Sequence, residues 1–185
     1  IVATNQNDIL HRAISTGKYE AEAVTETISP SMDIQIASNF ERLIYDLNEF
    51  DSEETKKIMS KIKQERKYLI SKEKLEKINK DFISASTKEE EILSVIKEVY
   101  NKYKVILDPH SAIGYDALMK INLVGNNIVL ATAHPCKFPD AVDRSINIKP
   151  ELPIELIHIM DKKESYDIIS DNLSEVKQHI KDRIL

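Results

Sequence analysis

The chain has 185 residues, of which 42% are hydrophobic and 31% charged. This suits one globular domain with its own core and leaves little room for two. No apolar run approaches the ~20 residues that cross a bilayer, and no basic–apolar–small leader opens the chain, so neither a membrane span nor a secretory signal is expected. The net charge of −5 argues against a general nucleic-acid binder, and a single cysteine excludes an internal disulfide and suits a reducing compartment, taken here as the cytoplasm.

In chain order, IVAT at 1–4 reads as a short strand, and Asn7 or Asp8 can cap a helix over Ile9–Thr16 that Gly17 ends. Residues 18–32 lack clear periodicity. A helix is expected from about Asp33, because Ile36, Phe40, Leu43, Ile44 and Leu47 share one face. Asp51 with Glu54 makes a capping-box-like start for the next helix, which is expected to run to about Leu69. Ser71 opens KEKLEKINKDF. Ser86 or Thr87 is expected to cap a helix whose apolar stripe is Ile92, Val95, Ile96, Val99 and Tyr103. After Pro109 a helix runs through Ala112–Met119, and NNIVLAT at 126–132 reads as the second clear strand. DAVDRSI forms a short helix, IELIHIM is strand or helix, and SEVKQHIKDRIL closes as an amphipathic helix.

Residues 51–104 stand apart. They hold 14 of the 26 Lys and Arg and 11 of the 31 Asp and Glu, with neither Gly nor Pro. Interspersed signs at helical spacing make a solvated surface, so this stretch is expected to be a helical insertion between the α/β parts 1–50 and 105–185. The three glycines, Gly17, Gly114 and Gly125, are too few and too scattered to build a phosphate-cradling loop. The opening IVATNQND begins inside what reads as a buried strand, so the chain is expected to be cut from a longer protein.

Two strand–loop–helix units, around TNQND and around ATAHPCKF, have the same build. In open α/β sheets ligands sit at the carboxyl ends of strands, so Asn5, Asn7, Asp8, Thr132 and His134 would line one crevice if the two strands are parallel neighbours. Asn7 and Asp8 equally read as caps alone. His134, Cys136 and Asp140 lack the second ligand pair that a zinc site needs, so no metal is expected. His110 in DPHSAIGY, and Ser31 and Asp33 in SPSMD, lie at helix starts where Asp108, Ser111 or Asp33 could simply cap.

Four segments, ATNQND at 3–8, TISPSMDIQIASNFERL at 27–43, DPHSAIGY at 108–115 and ATAHPCKFPDAV at 131–142, occur in that order. Together they resemble the carboxyl-terminal part of the threonine synthase family, in its bacterial and fungal long-chain type. The resemblance runs end to end apart from the variable 51–104. Ser111 and Ile113 stand where that family usually has Thr and Val, and Cys136 replaces a usual Ala, which speaks against a catalytic Cys136.

The resemblance implies an α/β fold, a partial tryptophan-synthase-β-like domain of pyridoxal-phosphate fold type II, with a helical insertion and carboxyl-terminal helices. It implies a pyridoxal-phosphate enzyme converting O-phosphohomoserine and water to threonine and phosphate. The family's Schiff-base lysine and phosphate cup lie upstream, so no catalytic residue is expected here and the chain alone should neither hold the cofactor nor turn over. Enzymes of this fold type present a Ser or Thr hydroxyl to the pyridine nitrogen, which by position is Thr132. Asn5, Asn7, Asp8, Ser31, Asp33, His110, His134 and Lys137 are the expected cleft residues, the last two near its mouth. The expected partners are the small-molecule substrate and the amino-terminal half of the same enzyme, with neither nucleic acid nor membrane. Two other classes stay open: a degenerate, non-catalytic product, and a helical interaction module using 51–104.

Overall fold

The computed structural model describes residues 1–184. The chain divides into a unit spanning Ile1–Glu151 and a second unit beginning at Leu152. In the first, strand β1 (Val2–Thr4) leads into α1 (Ile9–Thr16), which ends at Gly17 in a left-handed conformation with φ 76°. A side chain there would also meet the Ile70 carbonyl oxygen, 3.3 Å from an added Cβ, so glycine fits both the turn and the close approach. Then come β2 (Lys18–Glu20), a 3₁₀ turn at Pro30–Met32, α2 (Phe40–Leu47), α3 (Ser52–Glu65), β3 (Lys67–Leu69), α4 (Lys72–Asp81), β4 (Ser84–Ser86), α5 (Glu89–Tyr103), α6 (Pro109–Ile121), a second 3₁₀ turn at Pro135–Lys137 and α7 (Pro139–Ile146).

The strands form two separate pairs. β1 runs parallel to β4 with Val2 opposite Ser84 and Thr4 opposite Ser86, while β2 and β3 are antiparallel with Tyr19 opposite Tyr68. Alternation along β1 divides the core: Val2 packs into a cluster of Ile9, Ala13, Phe40, Ile44, Ile62 and Ile78, and Ala3 packs into another of Ile92, Ile96, Val99, Ala112 and Ile113. Tyr19 stacks on Phe40 at 4.8 Å and its hydroxyl accepts the Ala37 N–H at 2.8 Å. The expected α5 stripe is buried from Ile92 to Val99, but Tyr103 is exposed.

Several expectations need correction. The helix expected from Asp33 starts only at Phe40, because the groups before it are bound elsewhere: Asp33 holds Thr27, and the Ala37 N–H is taken by Tyr19. The helix expected to reach Leu69 ends at Glu65. Arg66 turns left-handed at φ 57°, and Lys67–Leu69 pairs with β2 instead. Residues 51–104 are therefore not a purely helical excursion: they carry β3 and β4, and β4 is the parallel partner of β1. Neither Ser86 nor Thr87 caps α5. The cap is Lys88, whose N–H donates to the Glu91 carboxylate at 2.7 Å, while Thr87 donates to Asp116 at 2.6 Å.

NNIVLAT forms no strand among the described residues, since a strand exists only where a ladder partner does. Ile128 is 89% and Leu130 73% exposed. The segment instead lies against α6 at Gly114, where an added Cβ would stand 3.2 Å from Val129 Cγ1. In the second unit, IELIHIM is a 3₁₀ helix (Ile154–Ile159), and α8 (Leu173–Ile184) is the closing helix.

Candidate active site

Three loops and one helix start come together at the β1 end of the first unit. Asn5, fully buried just past β1, points its amide NH₂ at Thr27 Oγ1 (2.9 Å), Ser29 Oγ (3.0 Å) and Asp33 Oδ1 (2.6 Å). Its carbonyl oxygen accepts the Asn7 N–H at 2.9 Å. Asn7 in turn acts as a side-chain substitute for a strand partner. Its amide donates to the Thr25 carbonyl and accepts the Thr25 N–H, both at 2.8 Å. Asp33 completes the knot by accepting the Thr27 N–H at 2.8 Å and the Thr27 hydroxyl at 2.7 Å. The loop carrying SPSMD is thus tied to the end of β1. Asp8 sits at the start of α1 without a side-chain cap bond and pairs with Arg12 Nε at 2.8 Å.

Asp108 is the cap of α6, and proline at the first helical position fits that start. Its Oδ1 accepts the His110 N–H at 2.9 Å and lies 2.9 Å from His110 Nδ1. Its Oδ2 accepts the Ser111 N–H at 3.3 Å and the Ser111 hydroxyl. Burial pushes this carboxyl up, but the bonds from His110 and Ser111 outweigh burial and hold it below the usual carboxylate range. The other ring nitrogen of His110 accepts the Ser31 N–H at 3.3 Å, and the ring packs on Phe138 with centroids 4.6 Å apart. A main-chain N–H can only donate, so Nε2 carries the lone pair and Nδ1 carries the proton that faces Asp108. Ser111 Oγ accepts the Thr132 N–H at 3.1 Å.

A cleft of about 590 Å³ opens over this frame, with Ala3, Met32, His110, Gly114 and Thr132 among its lining. Of the expected cleft residues, His110 and Thr132 line it. Ser31 adjoins it through His110. Asn5, Asn7 and Asp33 are spent on the loop knot, and Asp8 on Arg12. His134 is exposed, and its Nδ1 accepts the Cys136 N–H at 3.2 Å, which caps the second 3₁₀ turn; Lys137 is exposed with its ammonium 6.0 Å from the Phe138 ring centre. The single crevice expected to hold Asn5, Asn7, Asp8, Thr132 and His134 is therefore not what forms: β1 pairs with β4 rather than with NNIVLAT, so the two strand ends are not ladder neighbours. Among the described residues no group of three His, Cys, Asp or Glu side chains could hold a metal.

In the sequence Asp108 and Ser111 read as caps alone. The spacing D-P-H-S carried the missing signal, since an N-cap carboxylate has a second oxygen left to bind a side chain two or three residues on.

Thr132 presents a hydroxyl that makes no hydrogen bond among the described residues, and it stands at an exposed position on the cleft wall. A neutral hydroxyl there can donate to an aromatic nitrogen.

Residues 111–180 match the family model described as threonine synthase, C-terminal. Threonine synthase of Pseudomonas aeruginosa is 35% identical over 183 residues, covering 97% of this chain and 39% of that protein. The crystal structure of PLP-bound threonine synthase from Brucella melitensis superposes with a TM-score of 0.81 at 38% identity, over 97% of this chain and 39% of that one. Yeast threonine synthase gives 0.79 at 34% identity, over 98% of this chain and 41% of its own. The chain thus spans about two fifths of the length of these relatives. With parallel pairing of β1 and β4 and these superpositions, the fold is a fragment of the fold-type-II class of pyridoxal-phosphate enzymes. Within that class the chain belongs to the threonine synthase family and corresponds to its carboxyl-terminal portion.

Proposed function

We propose that this chain is the carboxyl-terminal part of an enzyme that converts O-phospho-L-homoserine and water to L-threonine and phosphate. The observation that carries the reading is the convergence of four separated segments on one cleft with the Thr132 hydroxyl on its wall. Pyridoxal phosphate, when bound, supplies the electron sink for this chemistry. The residue of this chain that would hold it is Thr132, donating its hydroxyl to the pyridine nitrogen. His110 and Met32 would form the wall beside the ring, and the Asn5–Asp33 knot would keep the SPSMD loop in place as a lid support. The phosphate cup and the covalent lysine are assigned to the amino-terminal half, which is the proposed partner. The proposed location is the cytoplasm, in keeping with the single cysteine; no helix of the described residues is long and apolar enough to cross a membrane.

The full reading frame, expressed with pyridoxal phosphate, should take up the cofactor and release phosphate from O-phosphohomoserine. This chain by itself, incubated with pyridoxal phosphate and reduced with borohydride, should show only scattered lysine labelling. A full-length protein that binds the cofactor but leaves O-phosphohomoserine intact would overturn the assigned reaction. Stoichiometric labelling of one lysine in the short chain would overturn the assignment of the lysine to the other half.

A further inference from the structure

We propose that Asp108 is the positioning residue of the cleft, a single buried carboxylate that sets the loop of Ser31 and Met32 through the His110 ring and the Thr132 wall through the Ser111 hydroxyl. The proposal rests on the reading above that Thr132 faces the cofactor. Asp108 is 1% exposed and does not line the cleft, while His110, 5% exposed, does.

Capping α6 needs one oxygen and one N–H. Asp108 makes four contacts. Two serve the helix start, at the His110 and Ser111 N–H groups, and two go to side chains, the His110 ring and the Ser111 hydroxyl. Both of these side chains pass the restraint to another part of the chain. The ring, with its proton drawn to Nδ1, offers Nε2 to the Ser31 N–H, 79 residues away in sequence. The hydroxyl gives its proton to Asp108 and so turns a lone pair towards the Thr132 N–H, 21 residues away. The carboxylate therefore dictates the direction of both relays: without it the ring could protonate on Nε2 and repel Ser31, and the hydroxyl could point its proton at the Thr132 N–H. The Phe138 ring packs against the histidine at a tilt of 53°.

The test uses the full-length holoenzyme with ¹⁵N-labelled histidine, comparing Asp108→Ser, Ser111→Ala and Ser111→Thr. Asp108→Ser keeps a helix-capping oxygen but falls short of the ring. Long-range ¹H–¹⁵N spectra should show His110 as the Nδ1–H tautomer in the parent and a shift towards Nε2–H in Asp108→Ser. The Thr132 amide resonance should move in the same variant, with kcat falling about 10- to 100-fold and KM by much less, as for a misplaced rather than a missing group. Ser111→Ala should move Thr132 and the cofactor spectrum while leaving the His110 tautomer unchanged, and Ser111→Thr should restore both. An Nε2–H tautomer in the parent overturns the proposal. So does a Thr132 amide that stays put in Ser111→Ala, and this second variant decides the matter if Asp108→Ser does not fold. Tautomer and amide shift are read without turnover, so a protein that lacks the proposed reaction still reports on the relay.

Discussion

Asn5 and Asp33 meet at 2.6 Å across 28 residues of sequence, and this contact closes the loop that ends in SPSMD onto the end of β1. Asp33 accepts there from the amides of Asn5 and Asn7 and from the backbone and hydroxyl of Thr27. Asp33→Ala leaves the Thr27 N–H without its acceptor and removes one acceptor from the Asn5 and Asn7 amides and the Thr27 hydroxyl, which keep Ser29, Thr25 and each other as partners. A buried donor left without a partner costs roughly 1–3 kcal/mol. Thermal unfolding of the full-length protein should show a clear loss of stability. Asp33→Asn, which keeps one acceptor oxygen, should cost less. Equal unfolding temperatures for the two variants and the parent would show that the knot contributes nothing.

Asp108 gives a pH dependence with a definite sign. Its carboxyl is held below the usual range, so it binds a proton less readily in the folded state than in the unfolded one. The stability it contributes is fully present above the unfolded carboxylate value of about 4 and is lost as pH falls through the lower folded value. Asp108→Asn should therefore be less stable than the parent at neutral pH, with the gap closing under acid. Denaturant midpoints measured between neutral pH and about pH 3 check this, and a gap that stays constant across that range would show that the ionised form is not the stabilising one.

Lys61 and Glu65 are exposed on α3 and make no hydrogen bond or ion pair with the knot or with Asp108, His110 and Ser111 among the described residues. Reversing both charges should change stability by no more than about 0.5 kcal/mol, since surface changes away from caps and buried pairs rarely do more. Turnover of the full-length enzyme should stay within about threefold of the parent. A fall of two orders of magnitude with the fold intact would place this helix in the chemistry.

What could be read from sequence divides along a physical line. Local signals were sufficient for α1 and its Gly17 stop, for the Asp51 and Ser71 caps and for the Ile92–Val99 stripe, because caps and helical periodicity are decided within a few residues. Pairing was not legible. KYL at 67–69 looks like the tail of a helix until Tyr68 is set opposite Tyr19, and IVL at 128–130 looks like a strand although nothing among the described residues pairs with it. Of the residues expected at the cleft, Thr132 and His110 lie on its wall. Asn5, Asn7 and Asp33 were named for a cleft they do not line, because an amide that substitutes for a strand partner has the same residue type as one that binds a ligand.

Thr132 carries the sharpest prediction. Its N–H is fixed by Ser111 Oγ at 3.1 Å, and its own hydroxyl is left to the cleft. In the full-length enzyme Thr132→Val keeps the β-branched shape and the main-chain bond but removes the donor, so the cost isolates the hydroxyl. A hydrogen bond to a ring nitrogen lost in this way is worth roughly 1–3 kcal/mol, which lowers cofactor affinity about tenfold to a hundredfold. Thr132→Ser keeps the hydroxyl and should retain most of the affinity, with a small loss from the missing methyl. Thr132→Asp replaces a neutral donor with a carboxylate, which favours a protonated ring nitrogen and should change the cofactor's absorption and raise side reactions. Cofactor titration, absorption spectra and product analysis of the three variants give the answer together. Equal affinity and turnover for the Val and Ser variants would make Thr132 a packing residue and leave the pyridine nitrogen to another donor.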